Sequence, residues 1–140
     1  MLFRSASFAD GDIAIRIEAP EDVALLGYPN EYSQVLLNLL TNAKQAIQDS
    51  GARPGMVGIR LSRADGFGCT ALRDNGGGIP EDRLERIFEP NFSTREGGSG
   101  IGLTMSRQII ERNMNGRITV RNVEGGAEFS VLVGLGGGPA

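Results

Sequence analysis

Three carboxamides at Asn38, Asn42 and Gln45, a carboxylate at Asp74, and glycine runs at 76–78 and 97–102 are the residues whose types and spacing invite chemistry. Amide oxygens are hard ligands of the kind Mg²⁺ accepts, usually beside waters and substrate phosphates. A carboxylate can accept a hydrogen bond from an exocyclic amine such as adenine's, and backbone amides opening a helix suit phosphate. The stretch from Asp74 to Leu103, DNGGGIPEDRLERIFEPNFSTREGGSGIGL, holds both glycine runs around a phenylalanine-bearing segment. Gly76, Gly77 and Gly78 follow the carboxylate, whereas Gly97, Gly98, Gly100 and Gly102 open a helical pattern, so the two runs do different jobs. Together they read as a nucleotide pocket; for either run alone, a mobile loop is the competing reading.

Two other phosphate motifs fail letter by letter. Gly97 and Gly102 have the separation of a P-loop, but Leu103 stands where its lysine belongs. Gly98, Gly100 and Gly102 alternate strictly, and position 103 is neither glycine nor alanine, which excludes the dinucleotide fingerprint. With no histidine in the chain, His-based acid/base catalysis, His metal ligation and a phosphohistidine formed within the chain are all excluded.

The elements that must position these residues follow from periodicity. At 140 residues and 40% hydrophobic, the chain reads as one domain with a real core, 1–140, in which 1–11 is linker and 135–140 a frayed tail. A net charge of −3 leaves no basic stripe for nucleic acid. The single cysteine, Cys69, sits on a strand pattern as a packing residue and fits a reducing compartment. Without a long apolar run or a signal-peptide layout, the expected location is cytoplasmic, with no membrane contact by this domain.

Residues 12–19 alternate as a strand, 23–26 suggest a short second strand, and a turn at 27–30 leads into a helix with Glu31 in its first turn. Tyr32, Val35, Leu36, Leu39, Leu40, Ala43 and Ile47 form its buried stripe, while Asn38, Asn42 and Gln45 project along another line. A solvated face is the plainer reading of that line, but glutamate or lysine would serve better there, because asparagine is a poor helix former. Val57, Ile59 and Leu61 mark one strand and residues 67–73 another, joined at Asp65 and Gly66, which delivers Asp74 to a strand end. Residues 80–87 suggest a short helix, 88–98 a lid, and 103–112 a helix ended by Asn115 and Gly116. Strands around Ile118 and Val120, then Phe129, Val131 and Val133, complete the chain.

In this order, YSQVLLNLLTNAKQAI resembles the N box, DNGGGIP the first glycine box, IFEPNFST the F box and GGSGIGL the second glycine box of sensor histidine kinases. The resemblance runs from about Ile13 to Val133. It implies the Bergerat ATP-binding fold, an α/β (α+β) two-layer sandwich with helices on one face of a mixed, mostly antiparallel sheet.

By the same resemblance, ATP and Mg²⁺ are the cofactors. Asn42 would hold the metal on the ATP phosphates, and Asn38 would contact phosphate or the metal's waters. Asp74 would read the adenine amine, Gly76, Gly78 and Ile79 would shape the base slot, and Gly98, Gly100 and Gly102 would hinge the lid and cradle phosphate. Arg95 looks like the basic lid residue approaching the terminal phosphate, and Gln45, Phe88, Ser99, Ile101 and Leu103 complete the ATP-contacting set. The catalytic group would be Asn38, Asn42 and Arg95. Three positions depart from the family pattern: Asn91 where a second aromatic is frequent, Gln45 where lysine is, and Ala127 where threonine is.

Relatives that hydrolyse ATP or phosphorylate serine place a glutamate where this chain has Asn38, and a carboxamide cannot take a proton from water or a hydroxyl. The resemblance therefore favours histidine phosphotransfer. It implies as partners a histidine-bearing dimerisation domain of a homodimeric parent, soluble or membrane-anchored, and a response regulator. An ATP-sensing module, or an ATPase or serine kinase of the same fold, is the alternative.

Overall fold

The computed structural model describes residues 2–7, 13–19, 29–52, 54–64, 66–84, 86–89 and 102–134. Among the described residues six strands lie in one sheet: β1 (Leu2–Ser7), β2 (Ile13–Ala19), β3 (Gly55–Ala64), β4 (Phe67–Asp74), β5 (Arg117–Val123) and β6 (Gly126–Gly134). Their order is β1-β2-β3-β4-β6-β5, with β2 and β3 parallel and every other neighbouring pair antiparallel. Parallel neighbours need a crossover, and α1 (Pro29–Ser50) supplies it. Among the described residues two short helices follow, α2 (Glu81–Leu84) and α3 (Gly102–Gln108), the latter continuing into a π-helical turn at Ile109–Asn113.

Register explains the core. Cross-strand partners Ile17, Ile59, Leu72, Phe129 and Val120 form one row across β2, β3, β4, β6 and β5, and a parallel row joins Thr70, Val131 and Ile118. Because side chains alternate along a strand, these residues share one face, and that face packs against Val35, Leu39, Ala43 and Ile47 of α1 and Ile110 of the π turn. Tyr32 of α1 reaches into the same layer to share a hydrogen bond with Thr70, which satisfies the buried threonine hydroxyl. The opposite face is mostly polar, with Met56 and Phe67 exposed on it. There Glu128 lies between its register partners Arg73 and Arg121, at 3.0 and 2.9 Å. Burial alone would raise the Glu128 carboxyl, but hydrogen bonds and charge from Arg121 and Arg73 outweigh it and hold the group below the usual glutamate value.

The two-layer, mostly antiparallel sandwich agrees with the sequence reading, and four details correct or limit it. Leu2–Ser7, expected as linker, pairs with β2 as an edge strand. The helix expected over 80–87 is only Glu81–Leu84, after which the chain continues as turns closed by Arg86 N–H to Arg83 O and Glu89 N–H to Arg86 O, each 2.9 Å. The helix expected over 103–112 widens at Ile109, where Met114 N–H reaches back to Ile109 O at 3.2 Å, and Asn115 in the left-handed region (φ 51°) ends it. Asn113 Nδ2 donates to both Glu31 carboxylate oxygens at 3.1 and 3.2 Å, tying this turn to the start of α1. The strand expected at 23–26, Asp65 and the tail at 135–140 lie outside the described residues.

Candidate functional site

Alternation along β4 puts Thr70, Leu72 and Asp74 on the inward face, and Asp74 is only 4% exposed. A buried carboxylate is costly unless hydrogen-bonded. The Gly76 N–H donates to Asp74 Oδ1 at 2.8 Å. Burial still pushes the Asp74 carboxyl above the ordinary aspartate value, with the Gly76 and Ala127 amides pulling the other way. Ala127, where threonine was the expected family residue, contributes a buried methyl.

The loop after Asp74 is shaped by close approach. A Cβ on Gly76 would lie 2.7 Å from the Ala46 carbonyl carbon and 2.8 Å from Ile47 N, so the loop rests on the backbone of α1. Gly77 and Gly78 take φ of +89° and +82°, which side chains disfavour. Asn75 fixes the loop's entry: its Oδ1 accepts from Met56 N at 2.8 Å, and its Nδ2 donates to Pro54 O at 2.9 Å. The β5–β6 turn closes the other side, with Gly77 N–H donating to Gly125 O at 3.0 Å and Gly126 packed so tightly that a Cβ would overlap the Asp74 carbonyl. Gly126→Ala is therefore expected to destabilise the fold by about 1–3 kcal/mol through overpacking. Thermal unfolding checks this, and an unchanged melting temperature would mean the turn yields freely.

Across the loop, α1 presents the carboxamides. Gln34 Nε2 donates to Asn38 Oδ1 at 3.0 Å, and Asn38 Nδ2 donates to the buried Ser106 Oγ of α3 at 3.1 Å. Gln45 Nε2 donates to Asp49 Oδ1 at 2.9 Å, one turn on. Between them Asn42 is half-buried, and among the described residues its carboxamide makes no hydrogen bond. The glycine loop thus meets α1 at residues 46–47 and α3 meets it at residue 38, about 12 Å apart at 1.5 Å per residue. A separation of that order, with a buried carboxylate beside one contact and α3 at the other, is the reach of a nucleotide.

Phe88 and α3 are joined where they flank the expected lid. Thr104 Oγ1 donates to Phe88 O at 3.0 Å, the Phe88 ring stands edge-on to Phe129 at 6.2 Å, and the Arg107 guanidinium lies 5.6 Å from the Phe88 centroid. Ile79, Phe88 and Leu103 are all partly buried against the core, and Gly102 opens α3. Asn91, Arg95, Gly98, Ser99, Gly100 and Ile101 lie outside the described residues. Of the predicted set, the structure brings Asn38, Asn42 and Gln45 together on α1 and sets Asp74, Gly76, Gly78 and Ile79 along the neighbouring loop. Sequence reasoning passed over Asn75 and Asn122, whose carboxamides hold that loop; their one signal is asparagine's aptitude for pairing with backbone.

Among the described residues no three Asp, Glu, His or Cys side chains gather as a metal cluster. A cation here would take amide oxygen, phosphate and water, a set that fits Mg²⁺, and Asn42 has the uncommitted oxygen.

Comparison with known proteins bears on the family and the fold. The family described as "Histidine kinase-, DNA gyrase B-, and HSP90-like ATPase" matches residues 27–136. The C4-dicarboxylate transport sensor protein DctB of Rhizobium meliloti (strain 1021) is 39% identical over 132 residues, 94% of this chain and 21% of DctB. This chain thus spans about a fifth of that relative. The nucleotide-free catalytic domain of histidine kinase ThkA superposes with a TM-score of 0.78 at 25% identity, covering 96% of each chain. Full-length ShkA in complex with AMPPNP superposes with a TM-score of 0.71 at 29% identity, covering 91% of this chain and 26% of ShkA.

Proposed function

The chain belongs to the family of histidine kinase-, DNA gyrase B- and HSP90-like ATPases, as an ATP-binding domain of the sensor histidine kinase type, and we propose that its parent transfers the γ-phosphoryl of Mg-ATP to a histidine on a separate dimerisation domain. The observation that carries this reading is Asp74, a carboxylate buried at a strand end that accepts from the Gly76 N–H, with Asn42 uncommitted among the described residues on the neighbouring helix. Asp74 accepts from the adenine amine, and the loop through Gly76, Gly78 and Ile79 walls the base. Asn42 supplies the oxygen for Mg²⁺, whose charge would offset that of the phosphates. Asn38, locked between Gln34 and Ser106, orients the phosphate end. Arg95, with Gly98, Ser99, Gly100, Ile101 and Gly102, belongs to the lid in this reading.

With an asparagine at 38, this chain has no base there for water or serine, so its part is positioning and charge neutralisation. In the transfer, the bond from the γ-phosphorus to the ADP oxygen breaks, a bond to an imidazole nitrogen forms, and the imidazole releases its proton. The partners are the histidine-bearing domain and a response regulator, the parent is a homodimer, and the domain works in the cytoplasm. No helix among the described residues is long and apolar enough to cross a membrane.

The test is incubation with γ-labelled ATP. With no histidine of its own, the chain alone is expected to stay unlabelled and release phosphate slowly, while an added histidine-bearing domain from the parent is labelled on histidine, acid-labile and base-stable. Self-labelling on serine or threonine, or rapid phosphate release, would move the chain to the serine-kinase or hydrolase branch. Nucleotide binding without transfer to that domain would make it an ATP sensor.

A further inference from the structure

We propose that Asn122 is a positioning residue for adenine, acting through the backbone of Ile79. This rests on the reading of Asp74 and its loop as the base slot. Asn122 lies on β5, outside every glycine box, yet its side chain meets the exit of the loop as another peptide would. The Ile79 N–H donates to Asn122 Oδ1 at 2.8 Å, and Asn122 Nδ2 donates to Ile79 O at 2.7 Å. One carboxamide thus satisfies both polar groups of one residue, in the manner of a rung between strands. No other side chain of this length offers a donor and an acceptor in one plane: aspartate lacks the donor, and leucine lacks both.

The clasp is placed where it controls geometry. Gly78 has φ +82°, and a Cβ built there would lie 3.0 Å from Asn122 Oδ1, so this turn of the loop lies directly on the carboxamide. Asn75 anchors the loop's entry to β3, and Gly77 N–H to Gly125 O fixes its middle. Asn122 supplies the third anchor, at Ile79. Without it, the loop keeps its start at Asp74 but loses the tie that sets how far Ile79 stands from the base. A freed loop samples a wider slot, and the cost falls on base binding rather than on transfer.

The experiment measures ATP, ADP and GTP binding by calorimetry for wild type, Asn122→Ala and Asn122→Asp. It is paired with phosphotransfer kinetics on the histidine-bearing domain and with thermal unfolding. Asn122→Ala is expected to weaken ATP and ADP about 10-fold, from two lost hydrogen bonds and a looser slot, and to narrow the preference for ATP over GTP. KM for ATP should rise while kcat is kept. Asn122→Asp, nearly the same shape with the donor replaced by a second acceptor, should behave like the alanine variant. Unchanged ATP affinity in both variants, or an equal loss for ATP and GTP with kcat falling in step, would overturn the proposal. Asp74→Asn is the control: if it too leaves ATP affinity unchanged, the base-slot reading itself has failed, and if it alone loses affinity, only the role of Asn122 has.

Discussion

Replacing Asn42 with alanine is expected to lower Mg²⁺-dependent phosphotransfer by roughly 100-fold or more while leaving the domain folded. The carboxamide is half-buried, and among the described residues it makes no hydrogen bond, so its removal orphans no partner. Alanine is also the better helix former, by several tenths of a kcal/mol in a helix interior. The melting temperature should therefore hold or rise. Calorimetric binding of ATP with and without Mg²⁺ separates the cases: the variant should keep metal-free binding and lose the gain that metal brings. Normal transfer, or an unfolded variant, would remove Asn42 from the metal site. A helix chosen for stability alone gains nothing from an uncommitted asparagine beside its buried stripe, which is what makes Asn42 the residue to test as the metal ligand.

The same logic explains what the sequence disclosed. The stripe from Tyr32 to Ile47 and the alternation in β3, β4 and β6 are local patterns enforced by burial, and Asp74 follows them because it continues the inward parity of Thr70 and Leu72. Local pattern fails where pairing is remote or where backbone decides. In Leu2–Ser7 the apolar Leu2 and Phe3 are adjacent rather than alternating, and only the ladder with β2 makes the segment a strand. The π turn at Ile109–Asn113 answers to contacts far away, among them Asn113 with Glu31 and Gly116, where a Cβ would overlap the Leu132 carbonyl. Asn75 and Asn122 were passed over in sequence, because each uses its side chain as a substitute peptide for a segment that letters alone do not place beside it.

Asp74→Asn is expected to weaken ATP by about 1–3 kcal/mol, roughly 5- to 150-fold, and to weaken GTP far less. Asparagine keeps an oxygen for the Gly76 N–H, but the atom left for the base is an amino group, which meets adenine's amine donor to donor and can donate to guanine's carbonyl. Its effect on stability should run the other way. Burial raises the Asp74 carboxyl above its ordinary 3.8, so ionising it in the fold costs free energy. A raised carboxyl gives stability that is full below the unfolded value and lost as pH rises through the folded one, so at pH 7 the wild type carries the penalty and the asparagine variant does not. Unfolding at pH 7 should therefore show the variant at least as stable, and the difference should shrink on acidification. Binding in the wild type should weaken as pH falls through that same raised range, because the protonated acid is a poorer acceptor and ATP must displace its proton. The variant should lack that limb. Calorimetry of ATP and GTP from pH 7 down to the edge of acid unfolding decides it: equal losses for the two nucleotides, or an acid limb that persists in the asparagine variant, would make Asp74 a structural carboxylate rather than the reader of the base.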